Sequence, residues 1–224
     1  MKNLDKFRSL LGEEVDGRLL TSRYSRHYGA EFDIAEGVAI VTAKGCRYFT
    51  DSRYIESAQN GIQGFEVLEV NRDNSYNKLL NQAIVDFGVS KLGFEENYLT
   101  VAELHGYEKN LKAELLPYNS KINGFRGVKE AWELDRMRKA QEITDKAFSE
   151  VLGRIKVGMS ELELQAELIY CLYKNGGQGL SFDPSLSPVP IPACPTAWPV
   201  SERSGKAILS LWTLASCTRV IAPI

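Results

Sequence analysis

Two histidines, His27 and His105, are the side chains of this chain best suited to move a proton near neutral pH. Neither has a carboxylate or a cysteine at metal-ligand spacing along the chain. His105 falls in a stretch with a helical pattern and His27 beside Arg26 near an expected strand end, so both read as surface or structural residues. Two acidic pairs have the composition of an acid and a base, Glu95 with Glu96 and Glu161 with Glu163. The first lies at a strand end. The second sits in Ser160-Glu161-Leu162-Glu163, a capping box in which hydroxyl and carboxylate satisfy free amides at a helix start. Asp51-Ser52-Arg53 has no histidine nearby in sequence to activate its serine, and helix capping with an ion pair accounts for it. Asn175-Gly176-Gly177-Gln178-Gly179 has the glycines of a phosphate loop, yet it follows a helix and lacks the lysine of a Walker motif. Side-chain types alone therefore assign no catalytic residue and no metal ligand, and leave substrate-binding residues unknown.

The elements that would position these residues alternate between strand and helix. Met1 to Gly17 reads as an amphipathic helix broken by charges. Short β-rich runs follow at Gly17 to Thr21, Gly37 to Thr42 and Cys46 to Thr50, with Ala43-Lys44-Gly45 as a hairpin turn between the last two. Asp51 to Ala58 reads as a helix start with Asp51 or Ser52 as its cap, and Gly64 to Val70 returns to an alternating strand. Ser75 to Phe87 is helical, Lys91 to Glu95 a short strand and Thr100 to Asn110 helical again. Residues 1–126 therefore form one α/β unit.

Beyond it, Met137, Ala140, Thr144, Ala147 and Val151 recur at helical spacing with charges on the opposite face, which predicts one packed side and one wet side. The helix that the capping box opens ends at Asn175-Gly176, where glycine tolerates the left-handed conformation of a helix stop. From Ser185 the character changes. Pro188, Pro190, Pro192, Pro195 and Pro199 crowd together, and Ala207 to Ala215 is uncharged with neither helical nor strand period. A proline-rich linker running into a short buried strand is one account of this tail.

A chain of 224 residues, 44% hydrophobic and 25% charged, is ordinary for a globular protein and long enough for a real core. A net charge of -2 removes the general attraction that nucleic acid or an anionic membrane exerts on a basic protein, so neither partner is expected. Cys46, Cys171, Cys194 and Cys217 are widely separated with no C-x-x-C pair, which suits reduced thiols in a cytoplasmic protein. No apolar run approaches the ~18 residues of a membrane span, so neither export nor membrane insertion is expected.

Several segments, in order, resemble the landmarks of one family. Asp51-Ser52-Arg53-Tyr54, Gly93-Phe94-Glu95-Glu96 with Tyr98-Leu99, Lys139-Ala140 with Ile143 to Phe148, Lys156 to Glu161, and Gly179 to Pro184 are similar to successive motifs of the Xaa-Pro aminopeptidases, or aminopeptidase P, of the prolidase family. The resemblance covers residues 1–184. It implies an α/β fold class, with a creatinase-type N-terminal domain over residues 1–126 and an incomplete pita-bread catalytic domain begun by two helices over 127–184. It also implies that the intact parent removes the residue preceding proline from proline-containing peptides, with two divalent metal ions, commonly manganese. Such a pair makes a bridging hydroxide nucleophilic at neutral pH and stabilises charge on the attacked carbonyl. Family members usually form dimers or tetramers, so a homodimer through the N-terminal domain is implied as well. Tyr28 to Gly37 departs from the family's tyrosine-leucine-threonine-glycine-phenylalanine run, which puts substrate contacts from that loop in question.

After Pro184 the family continues with a strand, a Met-Pro-His-Gly turn and its first metal aspartates, and residues 185–224 hold none of these. The genetic code offers an account. Moving the reading window back one base, Ala193 to Trp198 admit ATG-CCC-CAC-GGC-GTG, which is Met-Pro-His-Gly-Val. Ala207 to Ala215 likewise admit Asp-Phe-Ile-Thr-Met-Asp-Phe-Gly, the stretch that in the family bears a metal aspartate. Loss of one base at the Pro184 codon turns CCC-ATC-GTT-GTC-TCC-GG into CCA-TCG-TTG-TCT-CCG-G, which spells the observed Pro184-Ser185-Leu186-Ser187-Pro188. Residues 185–224 are thus expected to be an out-of-frame tail, and the chain as written is expected to lack every metal ligand and to be inactive. The alternatives are a non-catalytic binding or dimerisation module, or a complete enzyme whose frame is broken only in the recorded sequence.

Overall fold

Side chains that alternate along the first strands decide the architecture, because each strand feeds two cores at once. Leu19, Val38, Ile40 and Phe49 enter one apolar cluster with Leu79, Leu80, Ala83 and Ile84; Leu20, Ala39, Val41 and Tyr48 enter another with Phe7, Ala30 and Ala58. A sheet buried on both faces must carry helices on both. The computed structural model describes residues 3–12, 14–118, 124, 126–156, 158–182, 184–188, 209–212 and 216–217. These fall into two compact units, one ending at Lys129 and the other beginning at Glu130.

In the first unit the elements run α1 (Asn3–Ser9), β1 (Gly17–Leu20), α2 (Arg23–Ala30), β2 (Val38–Thr42), β3 (Cys46–Asp51), α3 (Ile55–Gly61), β4 (Glu66–Val70), α4 (Tyr76–Phe87), β5 (Lys91–Phe94), α5 (Val101–Asn110) and β6 (Glu114–Pro117). The sheet order is β4-β3-β2-β1-β5-β6. β2 pairs antiparallel with both neighbours while the other pairings are parallel, so five strands share one direction. Helices α1, α2 and α3 supply one core, and α4 and α5 border the other.

Local chemistry explains the ends of these elements. Ser75 accepts from the Lys78 amide and Thr100 forms a full capping box with Glu103, so α4 and α5 begin where an N-cap hydroxyl stands. The β2–β3 hairpin closes on Thr42, whose amide donates to the Gly45 carbonyl at 3.0 Å. The expected cap of α3 is corrected. Its N-cap is Tyr54, with no side-chain cap bond, and β3 runs on through Asp51. Asp51 accepts instead from the Arg53 amide and guanidinium, so the ion pair is present and the capping is not.

Arg18 sits fully buried on β1. Its Nη2 donates to the Leu10 carbonyl at 2.9 Å and its guanidinium lies 4.1 Å from the Tyr118 ring centre. Nε and Nη1 have no hydrogen-bond partner. Burial, opposed by Tyr118, pulls the Arg18 pKa down to about 10, so the charged form costs folding free energy at neutral pH. Arg18→Met keeps the length and removes the charge, while the Leu10 carbonyl still accepts from the Tyr118 hydroxyl at 3.1 Å. Chemical denaturation of the variant is expected to show stability unchanged or raised by about 1–3 kcal/mol. A loss above about 2 kcal/mol would mean that the charge itself is stabilising.

The second unit is built on α6 (Ala131–Leu152) and α7 (Glu161–Lys174). Ala147, Val151, Leu164, Leu168, Cys171 and Leu172 form its core. Arg154 bonds Glu167 at 2.6 Å, and Lys174 bonds Glu150 at 2.9 Å, tying the helices along their rim. Ser160 and Glu163 form the capping box that the sequence predicts, and Gly176, at φ 96, follows the C-cap Asn175. Along α6, Thr144, Ala147 and Val151 are buried, whereas Met137 is 42% exposed and leaves the expected packed stripe. The part of the helix that packs with α7 begins at Ile143 and Thr144, so the earlier turns, with Leu134 and Met137, are left uncovered among the described residues.

Strand β7 (Gly179–Leu180) pairs with β10 (Ser216–Cys217), and β8 (Ser185–Pro188) pairs antiparallel with β9 (Leu209–Trp212). The short strand considered for Ala207 to Ala215 therefore exists at its centre, and the five crowded prolines other than Pro188 lie outside the described residues. No helix among the described residues is long and apolar enough to cross a membrane.

Candidate functional site

Five parallel strands end on the same edge of the first unit's sheet, and open α/β sheets place ligands at that edge. The segments after β1, β3 and β5 bring Thr21 to Tyr24, Asp51 to Tyr54 and Glu95 to Tyr98 there, and the loop from α2 to β2 arrives beside them. Two buried side chains hold this edge rigid. Glu95, with no exposed surface, accepts from the Thr21 and Ser22 amides at 3.1 Å each, from the Ser22 hydroxyl at 2.8 Å and from the Ser25 hydroxyl. Its carboxylate thereby fixes the first turn of α2, whose N-cap is Ser22. Arg26, 5% exposed, donates to the carbonyls of Thr21, Ile34 and Ala35 and to the Tyr48 hydroxyl. It clamps the loop over residues 31–36 onto the sheet.

The outer surface carries charge and aromatic rings. Arg23 forms a two-pronged pair with Asp33 at 2.8 and 2.5 Å, and the Arg23 hydrogen bond is the main cause that holds the Asp33 carboxyl below the usual range. Arg53 binds Asp51 in the same manner and lies 5.1 Å from the Tyr54 ring centre; its hydrogen bond lowers the Asp51 pKa in turn. Tyr24 and Tyr98, each more than 40% exposed, approach with ring centres 6.1 Å apart. Tyrosine faces and fixed charges on a rigid rim can bind and orient a ligand.

Chemistry is a different matter. The hydroxyls within reach of a base, Ser22 and Ser25 on Glu95, are buried and taken up in fixing the first turn of α2. Among the described residues, no group of three His, Cys, Asp or Glu side chains could hold a metal ion. The donor set of the described residues does not fit a two-metal centre.

The structure settles where the residues singled out in the sequence stand. Glu95 is a structural carboxylate at a strand end, and Glu96 accepts from the Tyr118 amide at 2.9 Å. Glu163 completes a capping box, with Glu161 in the first turn of the same helix. His105 is exposed on α5. His27 is corrected from a strand end to α2, and Nδ1 lies 3.9 Å from Asp33, a carboxylate six positions away in sequence. Helix α2 itself, the Arg26 clamp and strand β6 went unforeseen. A Ser22-x-x-Ser25 start was the available signal for α2, but Tyr28 and Gly29 interrupt any apolar stripe. β6 is only four residues long.

The family model of the creatinase/prolidase N-terminal domain matches residues 4–128, and that of metallopeptidase family M24 matches residues 135–210. The second match runs past Pro184, where the sequence had led us to expect the resemblance to stop. A peptidase of Bacillus subtilis, YqhT, is 31% identical over 182 residues, covering 80% of this chain and 51% of that protein. The Xaa-Pro dipeptidase of Bacillus anthracis superposes with a TM-score of 0.86 at 26% identity, covering 98% of this chain and 61% of that one. The X-Pro aminopeptidase of Thermotoga maritima, at 23% identity and a TM-score of 0.74 over 82% of this chain and 52% of its own, shares the fold. The chain spans about half the length of the curated relatives it matches.

Proposed function

Because this chain belongs to the creatinase/prolidase family of Xaa-Pro peptidases, we propose that it is the front portion of a metal-dependent enzyme that releases the residue preceding proline, and that it is inactive as written. The observation that carries this is a half-length match joined to a sequence whose residues 185–224 hold no aspartate and no histidine. Family M24 enzymes and their prolidase relatives work with bound metal. In the complete parent the metals are two divalent ions, manganese by preference, the substrates are proline-containing peptides, and the compartment is the cytoplasm. The Tyr24–Tyr98 rim, with the Arg23–Asp33 pair beside it, is fit to orient peptide.

A tail displaced by one base keeps part of the apolar pattern of the restored frame. In register, Leu209 stands where the restored frame spells Phe, Trp212 where it spells Met and Leu214 where it spells Phe, so apolar residues persist at those positions. The aspartates fall on Ile208 and Thr213 and are lost. Strand β9, Leu209–Trp212, falls on this stretch.

The chain incubated with manganese is expected to give no turnover of an Xaa-Pro peptide, and turnover abolished by a chelator would overturn the proposal. The same preparation bears on the incomplete second unit. Leu134, Met137 and Leu152 on α6 and Leu162, Tyr170 and Tyr173 on α7 are 39–55% exposed, more apolar surface than a soluble helix pair normally leaves bare. Size-exclusion chromatography should therefore show oligomers. A single monomer peak with a sharp thermal transition would instead favour a selected, non-catalytic module.

A further inference from the structure

Away from the sheet edge, α1, the end of α2 and the turn between α3 and β4 enclose a cavity of about 360 Å³ that the peptidase assignment leaves unused. Its wall includes Leu4, Asp5, Arg8, Ala30 and Glu31. Arg8 is under-employed. Nη2 donates to the Cys46 sulfur at 3.4 Å and Nη1 stands 3.9 Å from Asp5, so neither terminal nitrogen is held by a close ion pair. A guanidinium so weakly engaged at the wall of a cavity is a ready receptor for a carboxylate.

The opposite charge preference lies on the other side. α2 ends at Ala30, and its last carbonyls lack intrahelical partners, so the negative end of its dipole meets the cavity. Glu31 follows at φ 53, a left-handed conformation that no other non-glycine residue described here adopts. Glycine or asparagine is the usual occupant of that position, because a longer side chain there costs conformational free energy. The Glu31 carboxylate gains little locally in return, since its hydrogen bond from the Asn3 amide is 3.4 Å long. A strained acidic residue retained at a helix end points to a role for the carboxylate itself.

We propose that this cavity binds a free α-amino acid. Its carboxylate meets Arg8, its ammonium lies between Asp5, Glu31 and the end of α2, and an apolar side chain rests on Leu4 and Ala30. Two acidic groups and one basic group line the same small space, which offers a partner to each charge of a zwitterion. The inference rests on the cavity alone and holds whether or not the chain belongs to an active peptidase.

Equilibrium dialysis of the full chain against labelled L-leucine tests it, with N-acetyl-L-leucine and L-leucinamide as competitors that each lack one charge. L-leucine should bind with a dissociation constant of about 1 mM or tighter, and both competitors should be at least about tenfold weaker. Arg8→Gln should weaken L-leucine by about tenfold or more. Glu31→Gly separates folding from binding: it relieves the left-handed strain, so its thermal midpoint should rise while L-leucine affinity falls about tenfold. Absence of binding at millimolar L-leucine, equal competition by the blocked analogues, or a stabilised Glu31→Gly chain with unchanged affinity would each overturn the proposal.

Discussion

Inserting one base at the Pro184 codon is expected to convert an inactive chain into a manganese-dependent Xaa-Pro peptidase, with a gain of at least about 10⁴-fold in turnover of a proline-containing dipeptide or tripeptide. The size follows from what is restored. Enzymes accelerate their reactions by roughly 10⁶-fold or more, and a site lacking every metal ligand retains none of the Lewis-acid share of that. Residues 1–184 are unchanged by the insertion, so any gain comes from the downstream frame. Treatment with a chelator should return the repaired chain to the background of the unrepaired one and leave the unrepaired chain as it was. If the repaired gene yields a folded protein without activity, the tail is not a displaced copy of the family's metal-binding segment.

A large loss of stability is expected from Glu95→Ala. Four donors converge on this carboxylate inside the protein: the Thr21 and Ser22 amides and the Ser22 and Ser25 hydroxyls. Truncation leaves them facing a cavity, and removing one member of a buried charged network costs about 3–5 kcal/mol. Domains are typically stable by only about 5–15 kcal/mol, so the first unit should be close to unfolding at 37 °C. Urea denaturation followed by far-ultraviolet circular dichroism measures the change. Glu95→Gln keeps the shape and one good acceptor, and its midpoint should fall between those of Glu95→Ala and the parent chain. A cost below about 1 kcal/mol for Glu95→Ala would mean that α2 keeps its place without the carboxylate.

Much of this fold is legible in the sequence because its elements are marked at their ends. Ser75, Thr100 and Ser160 announce helices by hydroxyls that have no better use, and Ala43-Lys44-Gly45 announces the hairpin. Helix α2 escaped because its anchors are distant: Glu95 grips its start from more than seventy residues away, and Arg26 ties it to a loop rather than to an apolar stripe. Met137 shows the opposite failure, where spacing taken alone put on the packed side a residue that nothing among the described residues covers. The rim could not be read from its parts at all. Arg23 with Asp33, and Tyr24 with Tyr98, are pairings made by the sheet order β1-β5 and by the path of the loop after α2. Glu31 has no signal in sequence, since only the backbone reveals the conformation that sets it apart.

The nucleotide sequence encoding Asp183 to Ile224, read on past the stop, tests the central claim most directly, because codon choice is free in the protein and fixed in the gene. The account predicts that the frame displaced by one base spells Met-Pro-His-Gly across Ala193 to Ala197 and Asp-Phe-Ile-Thr-Met-Asp-Phe-Gly across Ala207 to Ala215, and stays open beyond the present end. Codons that cannot spell those residues, or a stop within the displaced frame, would contradict it and leave residues 185–224 as the protein's own tail.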